Sequence, residues 1–109
     1  MAGQTPIAAF ARTVDRYLDA LRGSSLQVRR RERSNCNSLL KGLHRSEEPK
    51  LSESFIEDWL SRAGEPGSDV RARRLATLRR LIALWPGDDS RRVAVWLDSN
   101  RKRLLGAKA

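Results

Sequence analysis

Apolar side chains recur along this chain at intervals of three and four residues, the spacing that places them on one side of an α-helix. The sequence has no alternating β-branched run and no Asn-Gly or Asp-Gly turn, which are the signals of strands and hairpins. The pattern therefore predicts an all-α fold, a compact bundle of four to five helices in one domain spanning residues 1–109. The predicted helices cover about residues 6–22, 26–44, 53–63, 69–85 and 91–105.

Capping residues and helix breakers mark the ends of these segments. Thr5 precedes Pro6 at the first helix, and Ser52 and Ser68 stand before the third and the fourth. The second helix begins near Ser25, and Glu32 falls in the middle of its apolar side. The apolar positions predict a core that includes Phe10, Tyr17, Phe55, Trp59, Leu75, Leu78, Trp85 and Trp96.

The fourth predicted helix, SDVRARRLATLRRLIALW, has two unlike sides. At about 100° per residue, its apolar side holds Val70, Leu75, Leu78, Leu81, Ile82 and Trp85. The opposite side alternates alanine with arginine, and it holds Ala72, Arg73, Ala76, Arg79, Arg80 and Ala83. Arg71 and Arg74 fall in the apolar sector, so we expect the first turn to overhang the core and their stems to reach outward to solvent.

The net positive charge of the chain indicates which class of partner these arginines could bind. The chain has 22 Lys and Arg against 13 Asp and Glu, a formal charge of +9, and such an excess attracts polyanions, above all nucleic acid. Residues 1–67 carry a charge of +2, and residues 68–109 carry +7. The acidic residues concentrate between positions 47 and 65, and we expect that stretch to face away from a bound polyanion: Glu47, Glu48, Glu53, Glu57, Asp58 and Glu65.

The second predicted helix offers a surface that matches the fourth. Amides and hydroxyls are mixed there with cations, a combination suited to base edges and phosphates together. The predicted DNA-binding residues are Gln27, Arg30, Ser34, Asn37 and Lys41 on the second helix and Arg73, Arg79 and Arg80 on the fourth. The competing interpretation is that both surfaces are merely solvated.

At these residues the sequence resembles a known family. The segment LSESFIEDWLSRAGEPGSDVRARRLATLRRLIALW is similar to the second half of the core-binding domain of tyrosine recombinases, the phage integrase family, and FARTVDRYLDALRG resembles its first helix. Four residues match the family pattern T-x-x-R-x-L-S-A-L-R-x-F in the fourth helix: Arg73, Leu75, Leu78 and Arg79. Val70 stands where the family usually has Thr, and the second helix lacks the usual T-x-x-x-Y.

The resemblance implies a SAM-like helical domain, used in DNA recombination and integration by mobile elements, that clamps duplex DNA beside a separate catalytic domain. The catalytic residues of that family, two arginines, a lysine, histidines and a nucleophilic tyrosine, belong to its other domain. This chain has one tyrosine, Tyr17, which we assign to the core, and one histidine, His44, which complements a helix dipole. We therefore expect no enzyme activity.

Other chemical sites are not indicated by the sequence. Cys36 and His44 do not make a zinc set, and no glycine-rich phosphate loop is present, so we expect no metal and no cofactor. A single cysteine fits a reducing cytoplasm, and no apolar run is long enough for a membrane span.

The expected function is that of a non-catalytic DNA-binding module that grips duplex DNA with its second and fourth helices. The expected partners are double-stranded DNA, and either a recombinase catalytic domain or a second copy bound through the C-terminal helix. An alternative is a helical protein-interaction domain that docks through that C-terminal helix and Trp96, with the basic charge serving solubility.

Overall fold

The computed structural model describes residues 6–45, 51–65, 67–85 and 88–106, and every regular element in these ranges is a helix. The helices are α1 (Pro6–Ala20), α2 (Leu26–Arg45), α3 (Glu53–Ser61), α4 (Asp69–Leu84), α5 (Asp88–Ser99) and α6 (Arg101–Leu105). The predicted all-α class is confirmed. Thr5, predicted to cap α1, lies outside the described residues, as do Glu47 and Glu48. No helix in the described ranges is long and apolar enough to cross a membrane.

The predicted number of helices was too low by one, because the last predicted helix is two helices. α5 ends at Ser99, and Asn100 leaves the helical conformation with φ −112° and ψ 14°. The Asn100 side-chain amide donates to the carbonyl oxygen of Trp96 at 2.9 Å. Asparagine side chains compete in this way with the backbone hydrogen bonds of a helix, which explains the break.

Contacts within the chain divide it into two units, Met1–Lys50 and Leu51–Ala109. The prediction of a single domain over residues 1–109 stays a prediction. α1 and α2 belong to the first unit, and the other four helices belong to the second.

The first unit is formed by α1 packing against α2. Its buried apolar side chains are Phe10, Val14, Tyr17, Cys36, Leu39 and Leu43. Glu32 is buried among them, and the hydroxyl of Tyr17 donates a hydrogen bond to its Oε1. Because the carboxylate has a donor, α2 continues through this position without a break.

The second unit is centred on α4, which contacts α3, α5 and α6. Its core contains Ile56, Trp59, Leu60, Leu75, Leu78, Leu81, Ile82, Val93, Leu97 and Leu104. The predicted caps are confirmed: the Ser52 hydroxyl accepts from the amide of Phe55 at 3.1 Å, and the Ser68 hydroxyl accepts from the amide of Arg71 at 3.2 Å. The Gly67 amide donates to the carbonyl of Leu105 and so joins the loop before α4 to the end of α6.

Several predicted positions in this unit were wrong. Phe55, Trp85 and Trp96 are half-buried at the edge of the core rather than inside it. Val70 is 46% exposed because it lies in the first turn of α4, beyond the apolar side chains of its neighbours. Arg71 was expected to reach outward, yet it is only 8% exposed.

Candidate nucleic-acid interface

All five DNA-binding residues predicted on α2 are exposed to solvent. Gln27, Arg30, Ser34, Asn37 and Lys41 lie on one side of the helix, within about 60–80° of one another at 100° per residue. The buried side chains of Cys36, Leu39 and Leu43 occupy the opposite side. The sequence therefore predicted correctly which side of α2 meets water.

Further cations on the same surface were missed. Arg33 is exposed beside the predicted residues, and Arg45 is exposed in the last turn. Arg29 is also exposed but lies nearer the side of α2 that holds Cys36. The run RRRER contains Arg33, but only Arg30 of that run was predicted to bind DNA. We call the surface formed by Gln27, Arg30, Arg33, Ser34, Asn37 and Lys41 the α2 cationic face.

Because Glu32 is buried, the charged side chains on the α2 cationic face are all positive. Glu32 is the only acidic residue of α2, and its side chain points into the core, where Tyr17 donates to it. The exposed part of the helix consequently carries positive and neutral side chains only. The exposed side of α1 provides a contrast within the same unit, because Arg12 and Arg16 alternate there with Asp15 and Asp19.

Ion pairing also differs between the two surfaces. Arg22, just after α1, pairs with Asp19 at 2.7 Å. In the part of the chain that the structure describes, no carboxylate pairs with the cations of the α2 cationic face. Those positive charges are therefore not neutralised by neighbouring carboxylates in these ranges.

The predicted residues on α4 divide into two kinds. Arg73 and Arg80 are exposed. The short side chains of the exposed Ala72 and the half-buried Ala76 do not project far from the helix surface between these two arginines. Arg79 is half-buried, and its guanidinium donates to both carboxylate oxygens of Asp98, at 3.0 and 3.3 Å. Two-pronged pairing of this kind fixes the guanidinium and balances its charge locally. Arg79 is thus a poorer candidate for a DNA contact than Arg73.

The other two arginines of α4 point inward, contrary to expectation. Arg71 Nη2 donates to the carbonyl oxygen of Gly64 at 2.7 Å and lies 3.4 Å from that of Ser61, at the C-terminal end of α3. Arg74 stacks over the Trp59 ring, with its guanidinium 5.0 Å from the ring centroid, and burial lowers its pKa from the ordinary value. These carbonyls and this ring attract cations, which explains why both arginines turn inward. They connect α4 to α3.

Two side chains of the first unit that could act as nucleophiles, Tyr17 and Cys36, are buried. Tyr17 is buried and bonded to Glu32, and burial together with the nearby charge of Glu32 raises the pKa of the Cys36 thiol to about 12. A thiol with such a pKa is almost wholly protonated at neutral pH and is a weak nucleophile. His44 is exposed in the last turn of α2. Within the described ranges, no three His, Cys, Asp or Glu side chains gather as a metal site would require.

No protein-family model, curated protein or solved structure matches this chain. The resemblance to tyrosine recombinases accordingly rests on the sequence segments quoted above.

Proposed function

We propose that this chain is a non-catalytic module that binds double-stranded DNA through the α2 cationic face and the outward arginines of α4. The observation that carries the proposal is the burial of Glu32, which leaves the exposed part of α2 without a negative charge. A helix that only shields a core usually mixes both signs on its wet side, as α1 does.

The chemistry of the α2 cationic face suits duplex DNA. Three cations, Arg30, Arg33 and Lys41, are exposed there for phosphate contacts, which supply most of the affinity of DNA-binding proteins. Gln27 and Asn37 carry amides, which can pair with adenine in the major groove. A surface with both kinds of group fits backbone positioning and base recognition together.

The exposed surface of α4 supports the same function. Arg73 and Arg80 flank a strip of alanines, and small side chains let a helix approach a groove or a phosphate backbone closely. α2 and α4 belong to different units of the chain, so each surface is proposed from its own residues.

The experiment that tests the proposal is a salt titration of binding to a random 20-base-pair duplex. Each phosphate contact contributes about −0.9 to the slope of log K against log salt, so contacts by Arg30, Arg33, Lys41, Arg73 and Arg80 predict a slope of about −4.5. A slope near zero, or no binding at low salt, would refute DNA binding. Incubation with a nicked duplex should leave no protein covalently attached to DNA.

A further inference from the structure

Ser34 lies on the α2 cationic face, and its side chain is exposed to solvent. Arg30 precedes it by four residues, about one helical turn, and Arg33 is its neighbour in sequence. In the described ranges, the hydroxyl of Ser34 makes no hydrogen bond. An accessible hydroxyl therefore lies among the positive charges of α2.

Two arginines before Ser34 have a spacing that a class of enzymes recognises. Arg29 and Arg31 precede Ser34 by five and by three residues. Arginine-directed serine kinases bind arginines at these two positions through carboxylates in their substrate groove. The α2 cationic face does not account for this pair, because Arg29 lies nearer the Cys36 side of the helix and Arg31 is half-buried.

The first half of α2 is packed less firmly than the second half. The buried side chains of α2 are Glu32, Cys36, Leu39 and Leu43, so residues 26–35 contribute no buried apolar side chain. A segment with few buried apolar contacts opens at a low cost in free energy. Residues 26–35 can therefore adopt the extended conformation in which kinases bind their substrates, while the second half of α2 stays packed.

We propose that Ser34 is the target of an arginine-directed serine kinase and that its phosphorylation turns off DNA binding by the α2 cationic face. The effect on DNA binding rests on the proposed function. In the reaction, the Ser34 oxygen attacks the γ-phosphorus of ATP, and the bond from that phosphorus to the oxygen shared with the β-phosphate breaks. ADP leaves, and the hydroxyl proton passes to a carboxylate of the kinase.

The phosphate would change the charge of the surface on which it is placed. Arg30, Arg33 and Lys41 give the α2 cationic face three positive charges, and a phosphoserine adds about −1.5 to −2. Because Arg30 is one turn away on the same side of the helix, it can pair with the phosphate through charge-assisted hydrogen bonds. The phosphate thus occupies a cation that DNA would use and repels the DNA backbone.

Mass spectrometry after incubation with magnesium ATP and protein kinase B, an arginine-directed kinase, tests the modification. The full chain should gain a phosphate at Ser34, and Ser34→Ala should prevent it. Arg31→Gln should lower kcat/KM by at least about tenfold. Arg45→Gln removes an exposed arginine of the same helix outside this spacing and should leave kcat/KM unchanged. No phosphate at Ser34, or equal rates for the two arginine variants, would overturn the proposal.

A salt titration of duplex binding tests the consequence. The phosphorylated chain should give a slope of log K against log salt that is shallower by about two, because the phosphate offsets about two cations. Phosphatase treatment should restore the slope. Ser34→Asp should make the slope shallower by about one, whereas Ser54→Asp, which adds the same charge at an exposed serine of α3, should change it by less than about half a unit.

The outcomes separate this proposal from the proposed function. If the unmodified chain binds the duplex and phosphorylation leaves the slope unchanged, Ser34 does not regulate DNA binding and the proposed function stands. A slope near zero for the unmodified chain refutes the proposed function, and regulation of DNA binding through Ser34 fails with it.

Discussion

Glu32 determines the charge of the α2 surface through the direction of its side chain. The sequence places Glu32 in the apolar sector of α2, and that position was predicted. No sequence pattern identified the hydrogen bond from Tyr17, which offsets the cost of burying the carboxylate. The donor lies fifteen residues away on another helix, so it becomes visible only once α1 packs against α2. Periodicity alone cannot identify the hydrogen-bond partner of a buried polar residue when that partner is distant in sequence.

Cys36 provides a prediction about chemical reactivity. Its pKa of about 12 exceeds the ordinary value of 9.0 by three pH units, so the folded protein contains about a thousandfold less thiolate at pH 8 than an unhindered thiol. We expect Ellman's reagent to modify Cys36 far more slowly in the native chain than in the chain unfolded in guanidinium. Equal rates under the two conditions would contradict the buried position of the thiol.

Trp59 and Trp85 give a matched pair for the core of the second unit. Trp59 is 5% exposed and lies under the Arg74 guanidinium, whereas Trp85 is half-buried. Trp59→Ala should lower the free energy of unfolding by about 3–5 kcal/mol, and Trp85→Ala should cost distinctly less because fewer of its contacts are lost. Denaturant unfolding measures both values. A larger loss of unfolding free energy for Trp85→Ala than for Trp59→Ala would contradict the burial of these two side chains described above.

The periodicity of α2 and α4 was sufficient to predict which of their sides is exposed. The side-chain directions of the residues that interrupt that periodicity could be determined only from the tertiary structure. Arg71 and Arg74 turn inward because carbonyl oxygens at the end of α3 and the Trp59 ring attract them, and neither partner can be recognised from the spacing within α4. Asn100 is different, because its weak helix propensity was a local signal that the prediction of one continuous C-terminal helix did not use.

The ion pair between α4 and α5 yields a prediction about DNA binding. Asp98 holds Arg79 through two hydrogen bonds, so Arg79→Gln should weaken DNA binding less than Arg73→Gln does. Asp98→Asn should strengthen binding, because it releases the Arg79 charge and removes a nearby negative charge. Equilibrium binding to the random duplex at a fixed low salt concentration measures all three variants.

Two outcomes would contradict this interpretation of the ion pair. If Asp98→Asn leaves DNA affinity unchanged, the Arg79 charge is not restrained by its partner. If Arg79→Gln weakens binding as much as Arg73→Gln, the guanidinium contacts DNA despite Asp98. Ser99→Ala, which changes an exposed neighbour on α5 without altering charge, serves as the control.

At the scale of the whole chain, total charge is a poor guide to where a polyanion would bind. The sequence assigns most of the positive charge to residues 68–109. The structure shows that two arginines of α4 are turned inward and that Arg79 and Arg103 are paired with Asp98 and Glu57. The α2 cationic face, in the nearly balanced half of the sequence, carries its charges without such partners among the described residues.

The most direct test of the account compares two double variants that lose the same charge from the same unit. Arg30→Gln with Arg33→Gln removes two cations from the α2 cationic face, and Arg12→Gln with Arg16→Gln removes two from the charge-balanced exposed side of α1. If the α2 cationic face binds DNA, the first pair makes the slope of log K against log salt shallower by about two, and the second pair changes it by less than about half a unit. Equal changes in slope for the two pairs would mean that DNA responds only to net charge, and would contradict a DNA-binding surface on α2.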